Sequence, residues 1–128
     1  MLPKQQRLIK SSAFKATYRL KQSTADALLV LCTGKYKTQN SPTKAGFVVS
    51  KKIHKRAVKR NRIKRLTREA YRLAIKNNEI NPQWMSLIFT AREASLNADF
   101  KQVYNSVVKL IAKMEKKFPN ETNRNFSD

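Results

Sequence analysis

The sequence predicts an α/β (α+β) two-layer sandwich in the order α-β-β-(β)-α-β-α, and three observations lead there. Apolar runs at 27–33, 45–50 and 84–91 are too short for typical helices and read as strands. The stretches 57–76 and 99–118 instead keep the i, i+3, i+4 rhythm of amphipathic helices. A chain of 128 residues with 41% apolar content is also large enough for one core in one domain.

The first helix, 11–21 (SSAFKATYRLK), takes Ser11 or Ser12 as its N-cap and contains few breakers. ALLVLCT at 27–33 forms the first strand, 34–42 a polar loop, and AGFVVS at 45–50 the second strand. Antiparallel pairing of these two is the economical arrangement. The bracketed strand would come from the loop. The basic helix stops at Asn77, Asn78, Asn81 and Pro82, and WMSLIFTA at 84–91 forms the last strand. In the final helix Phe100, Val103, Val107, Leu110, Ile111, Met114 and Phe118 make the apolar stripe, and Asp99 with Gln102 resembles a capping box. The folded domain is expected to span 1–118, followed by a polar, disordered tail over 119–128.

The charge is concentrated. KKIHKRAVKRNRIKRLTREAYR, Lys51 to Arg72, carries eleven Lys or Arg against Glu69 alone, half of the net +20 of the chain. Such an excess calls for a polyanion, and phosphate backbones are the commonest one. A membrane surface would favour a basic helix opposed by Trp, Phe and Leu. Here small and aliphatic residues oppose the charge, and no apolar run reaches the roughly 20 residues a bilayer requires. The first ten residues lack a signal-peptide pattern, and the lone Cys32 permits no internal disulfide, so a cytoplasmic, soluble protein is expected.

At about 100° per residue, Ile63, Leu66, Thr67, Ala70, Leu73 and Ala74 fall on the core-facing side of the basic helix. Asn61, Arg65, Arg68 and Arg72 form a row on the opposite side, with Lys64 beside it and Arg60 and Arg62 at its margins. Arginine forks fit phosphate oxygens, while an amide both donates and accepts and so suits a sugar hydroxyl or base edge. Solvated helix faces usually mix signs at i, i+4, whereas here only Glu69 offers relief and most of the repulsion is left unopposed. Phe14 and Tyr18 share a face of the first helix, suited either to core packing or to stacking on unpaired bases.

No catalytic constellation accompanies the charge. His54, the only histidine, sits among cations with no acid nearby in sequence, and the eight acids form no DxD, ExxH or HExxH arrangement. The two glycines, Gly34 and Gly46, make no phosphate loop, and Cys32 within an apolar strand reads as core packing. The expectation is therefore no catalytic residue, no metal site and no cofactor bound by the protein. A helix-turn-helix reader of DNA is disfavoured, because the basic helix lacks a preceding partner helix across a short glycine turn.

The segment AGFVVSKK…AVKRNRIKRLTREAYR resembles the signature of the bacterial ribonuclease P protein component, and Arg7-Leu8 with Phe14 and Tyr18 adds a weaker match. Strand–helix order agrees across roughly residues 5–117. The resemblance implies a fold like the second domain of ribosomal protein S5, with a left-handed crossover. It also implies a single RNA-binding domain, one protein pairing with one RNA, that assists removal of the 5′ leader from precursor tRNA. In that family the RNA subunit is the catalyst and holds the Mg²⁺ ions. By analogy Arg60, Asn61, Arg62, Lys64, Arg65 and Arg68 face the catalytic RNA, with Arg72 continuing the row. Phe14, Tyr18, Lys51, Lys52 and Arg92 would line the cleft for the single-stranded leader. Two departures stand out: Cys32 lies where some relatives carry a cleft tyrosine, and Ser86 where the family often has an acid. A non-enzymatic ribosomal-protein-like module or RNA chaperone is the rival reading.

Overall fold

The computed structural model describes residues 2, 4–37 and 42–119. Among these residues three α-helices, α1 (Ser11–Arg19), α2 (Ala57–Lys76) and α3 (Phe100–Lys117), combine with four strands, β1 (Gln22–Ala25), β2 (Leu29–Thr33), β3 (Lys44–Val48) and β4 (Ser86–Ala91). The sheet order is β1-β2-β4-β3. The predicted tail falls outside the described residues from position 120 onward.

The first helix ends two residues earlier than expected, and neither serine caps it. Lys10 holds the N-cap position without a side-chain bond. Lys21 takes a left-handed φ of 56°, which turns the chain directly into β1. The strand QSTA was not foreseen, because four small or polar residues carry no apolar alternation. Its partner supplies the order. β1 pairs antiparallel with β2 from Gln22↔Thr33 to Ala25↔Val30. Asp26 closes the hairpin by accepting the Leu28 and Leu29 N–H groups on Oδ1, both at 2.9 Å. The third strand is thus found before the first apolar run. Among the described loop residues, Tyr36 makes only an isolated bridge to Trp84.

The expected antiparallel pairing of the second and third apolar runs is overturned. β3 pairs with β4 instead, in parallel, from Lys44↔Ser86 to Val48↔Thr90. Both edges of β2 are taken, by β1 and by antiparallel β4. The 20-residue α2 supplies the long crossover that parallel neighbours need. The preceding segment shields part of the free β3 edge, with Arg7 bridging Ala45 and the Leu8 N–H donating to the Ala45 carbonyl at 2.9 Å.

Strand register divides the sheet into two faces. Leu29, Leu31, Ala45, Leu87, Phe89 and Ala91 belong to the core under α2 and α3. Val103, Val107, Leu110, Ile111 and Met114 fill it from α3, as the sequence rhythm predicts. The capping box forms as expected: Gln102 N–H donates to Asp99 Oδ1 at 2.8 Å, and Asp99 N–H to Gln102 Oε1 at 2.9 Å. Phe100 departs from the stripe and lies 37% exposed on the first turn. In α2 the buried side is rotated toward Tyr71, leaving Leu66 and Leu73 half-buried. Tyr71 wedges edge-on between Phe47 and Phe89, with ring centroids 6.0 and 5.9 Å away. Burial keeps its phenol protonated well beyond the ordinary range.

Candidate nucleic-acid interface

The basic helix begins where the chain leaves β3. Ser50 Oγ accepts the Lys52 N–H at 3.1 Å, and His54 Nδ1 accepts the Arg56 N–H at 3.0 Å. The only histidine is thus engaged in shaping the entry to α2. Among the described residues no group of three or more His, Cys, Asp or Glu converges.

Along α2 the predicted row separates into free and tethered cations. Asn61, Lys64 and Arg65 have no side-chain partner among the described residues, and Asn61 and Arg65 are exposed. Arg60 folds back so that Nη1 donates to the His54 and Lys55 carbonyls, both at 3.1 Å. Arg62 Nη2 reaches the Ala98 carbonyl at 3.4 Å. Arg68 lies over the Phe47 ring, 5.9 Å from its centroid. Arg72 forks onto Glu69, with Nε 2.8 Å from Oε2 and Nη2 3.0 Å from Oε1. The Arg72 fork holds the Glu69 carboxyl below its ordinary range, and Glu69 in turn raises the guanidinium. Each tethered guanidinium keeps most of its five N–H donors for another acceptor, although the charge of Arg72 is already met by Glu69.

Val58, part of the quoted motif but given no role of its own there, stands 77% exposed three residues before Asn61 and seven before Arg65. Its off-stripe position was the available signal. It adds an apolar spot to a cationic ridge.

The second group of predicted residues divides between the other sheet face, which takes Phe14 and Tyr18, and the far end of the sheet, which bears the cations. Phe14 is half-buried and lies directly on the sheet backbone. A Cβ on Gly46 would come within 2.7 Å of Phe14 Cζ and 2.8 Å of Cε1, so only glycine admits the ring. Packing and exposure are therefore both true of Phe14. Tyr18, one turn on, is 43% exposed. Lys51 and Lys52 are exposed just beyond β3, and Arg92 just beyond β4. Because those strands run parallel, all three cations leave the same end of the sheet. The Arg92 guanidinium nevertheless turns toward the hairpin, where Nη1 donates to the Asp26 carbonyl at 2.9 Å.

Cys32 does not belong to the main core. It shares the row Cys32↔Ile88↔Gly46 on the face that carries Phe14, half-buried, with burial pushing its thiol pKa up. Two strand spacings, about 10 Å, separate it from Gly46. Half-buried Val30, Val48 and Thr90 continue this face toward the end that bears the lysines. A cationic ridge and an aromatic-lined sheet face thus flank one molecule.

No helix among the described residues is long and apolar enough to cross a membrane. The family profile described as Ribonuclease P matches residues 2–115. The Ribonuclease P protein component of Alkaliphilus oremlandii is 36% identical over 110 residues, covering 84% of this chain and 90% of that protein. That of Clostridioides difficile is 38% identical over 108 residues, covering 84% and 90%. The structure of the Staphylococcus aureus RNase P protein superposes with a TM-score of 0.69 at 27% identity, covering 84% of this chain and 93% of that one. The Thermotoga maritima RNase P protein gives 0.69 at 22% identity over 84% and 96%, which speaks for the fold alone. The ridge sequence, the α/β architecture and a profile match spanning almost every described residue agree, and the chain belongs to the ribonuclease P protein component family.

Proposed function

We propose that this protein is the protein subunit of a ribonuclease P ribonucleoprotein, binding the catalytic RNA and the 5′ leader of precursor tRNA. In this reading it assists endonucleolytic removal of the leader in the cytoplasm, one protein with one RNA. The observation that carries it is the pairing of a cationic ridge, relieved by Glu69 alone and with Asn61, Lys64 and Arg65 unengaged among the described residues, with a separate sheet face bearing Phe14 and Tyr18.

Each surface suits one ligand. On α2, Lys64 and Arg65 neutralise crowded phosphates of the RNA subunit. Arg60, Arg62 and Arg68, held by protein partners, present their remaining donors in fixed directions. Across the sheet, Phe14 and Tyr18 offer ring surface to unpaired bases, and Lys51 and Lys52 meet the leader backbone. Arg92, anchored on Asp26, contributes positive potential at that end. Mg²⁺ held by the RNA subunit supplies the activated water. The chain itself lowers phosphate repulsion, so that ribozyme and substrate meet at lower ionic cost.

Adding the purified protein to a protein-free ribonuclease P RNA at low Mg²⁺ tests the reading. Restored cleavage of precursor tRNA at the mature 5′ end is expected. RNA binding without any gain in cleavage would favour the ribosomal-protein-like module or chaperone instead.

A further inference from the structure

Between Phe14 and Tyr18 on α1 lies Thr17, only 1% exposed. Its hydroxyl donates to the Ala13 carbonyl at 2.8 Å and sits 2.6 Å from Ser86 Oγ, the first residue of β4. A hydroxyl has one proton to give. Either hydroxyl can be the donor of the Thr17–Ser86 contact, and with the Thr17 proton on the Ala13 carbonyl that donor is Ser86. Among the described residues this is the only side-chain hydrogen bond from α1 to the sheet. Backbone spacing makes room for it. A Cβ on Gly34 would lie 2.5 Å from Ser86 Oγ, and the Gly34 N–H donates to the Ser86 carbonyl at 2.9 Å.

The helix it holds is weak by itself. Nine residues with no side-chain cap are too few for intrinsic stability, so tertiary contacts must fix where α1 sits. Two contacts do so. Gly46 receives the Phe14 ring, and Ser86 receives Thr17 one turn further along. A rotation or slide of α1 would move Phe14 and Tyr18 together. A carboxylate at position 86 could only accept, whereas the serine present here can also donate.

We infer that Ser86 and Thr17 are positioning residues for leader recognition, their hydrogen bond latching α1 so that Phe14 and Tyr18 meet the single strand in register. This rests on the proposed leader-binding role of that face. The test uses holoenzyme reconstituted with its RNA subunit, and reads the ratio of affinities for leader-bearing precursor over mature tRNA, beside protein affinity for the RNA subunit. Ser86→Ala and Thr17→Val should each reduce the precursor preference by about three- to tenfold, the scale of one hydrogen bond. The double variant should be no worse than either, because both remove one interaction. Thr17→Ser should keep the preference, because it keeps the hydroxyl, while Thr17→Val keeps the branched shape and removes it, so the contrast reads the hydroxyl and not the side-chain volume. RNA-subunit affinity should stay within about twofold, since α2 is untouched. Full preference in Ser86→Ala and Thr17→Val, alongside loss in Phe14→Ala, overturns the latch and leaves the leader-binding face standing. Full preference in Phe14→Ala overturns that reading and the latch with it.

Discussion

Arg65 and Arg72 occupy the same predicted row, yet their side chains are in different situations. Arg65 is exposed without a partner among the described residues, whereas Arg72 already forks onto Glu69. Arg65→Ala should therefore weaken RNA-subunit affinity by roughly tenfold and flatten the log–log salt dependence by about 0.7 to 0.9, the contribution of one phosphate. Arg72→Ala should change both less, because its charge is largely offset in the free protein. Titrations of both variants across a salt series check this, and equal losses would contradict the distinction. Helical periodicity made the row legible, since spacing alone decides which residues share a side. Tethering was not legible. Whether Arg60 turns to the His54 carbonyl or Arg68 to the Phe47 ring depends on a loop and a strand brought close only by folding.

Secondary-structure elements divide along the same line. α2 and α3 were readable because each has a continuous apolar stripe and, for α3, a capping box within four residues of sequence. β1 was not, because its order comes from neighbours: β2 on one side and α3 on the other. Lys113 Nζ donates to the Ala25 carbonyl at 3.1 Å, and Lys117 Nζ to the Ser23 carbonyl at 2.9 Å. Two lysines one turn apart thus clip the outer edge of an edge strand, occupying carbonyls that another strand could use. Replacing both with methionine should leave α3 and the core folded but speed amide exchange in the β1–β2 hairpin relative to β3–β4. Unchanged hairpin protection would show that the clip is dispensable. The placement of α1 was equally hidden, since no sequence rule announces that Gly46 is a seat for an aromatic ring. Gly46→Ala should destabilise the protein by about 1–3 kcal/mol through overpacking against Phe14. Restoring stability in a Gly46→Ala, Phe14→Leu double variant would confirm that the ring is what the methyl group strikes. A Gly46→Ala variant as stable as the parent would refute the seat.

Across the whole molecule, a net charge of +20 on 128 residues sets the balance between fold and ligand. Self-repulsion disfavours the compact state, and it is strongest where the fold aligns like charges, along α2 and at the sheet end bearing Lys51, Lys52 and Arg92. Unfolding spreads those cations apart, so the native chain has the denser positive potential and binds polyvalent anions more tightly than the unfolded chain does. Mass action then converts that difference into stability, by about 2.7 kcal/mol once an anion stands at a hundred times its dissociation constant. Sulfate or phosphate should accordingly raise the melting temperature by several degrees at concentrations where chloride of equal ionic strength raises it less. General screening would lift both salts alike. The same variants connect this scale to the others: Arg65→Ala should reduce the sulfate increment because it thins the native ridge, whereas Lys113→Met should hardly alter it. Thermal melts at matched ionic strength decide the matter, and a melting temperature indifferent to sulfate would mean that repulsion along the ridge is already relieved within the free protein.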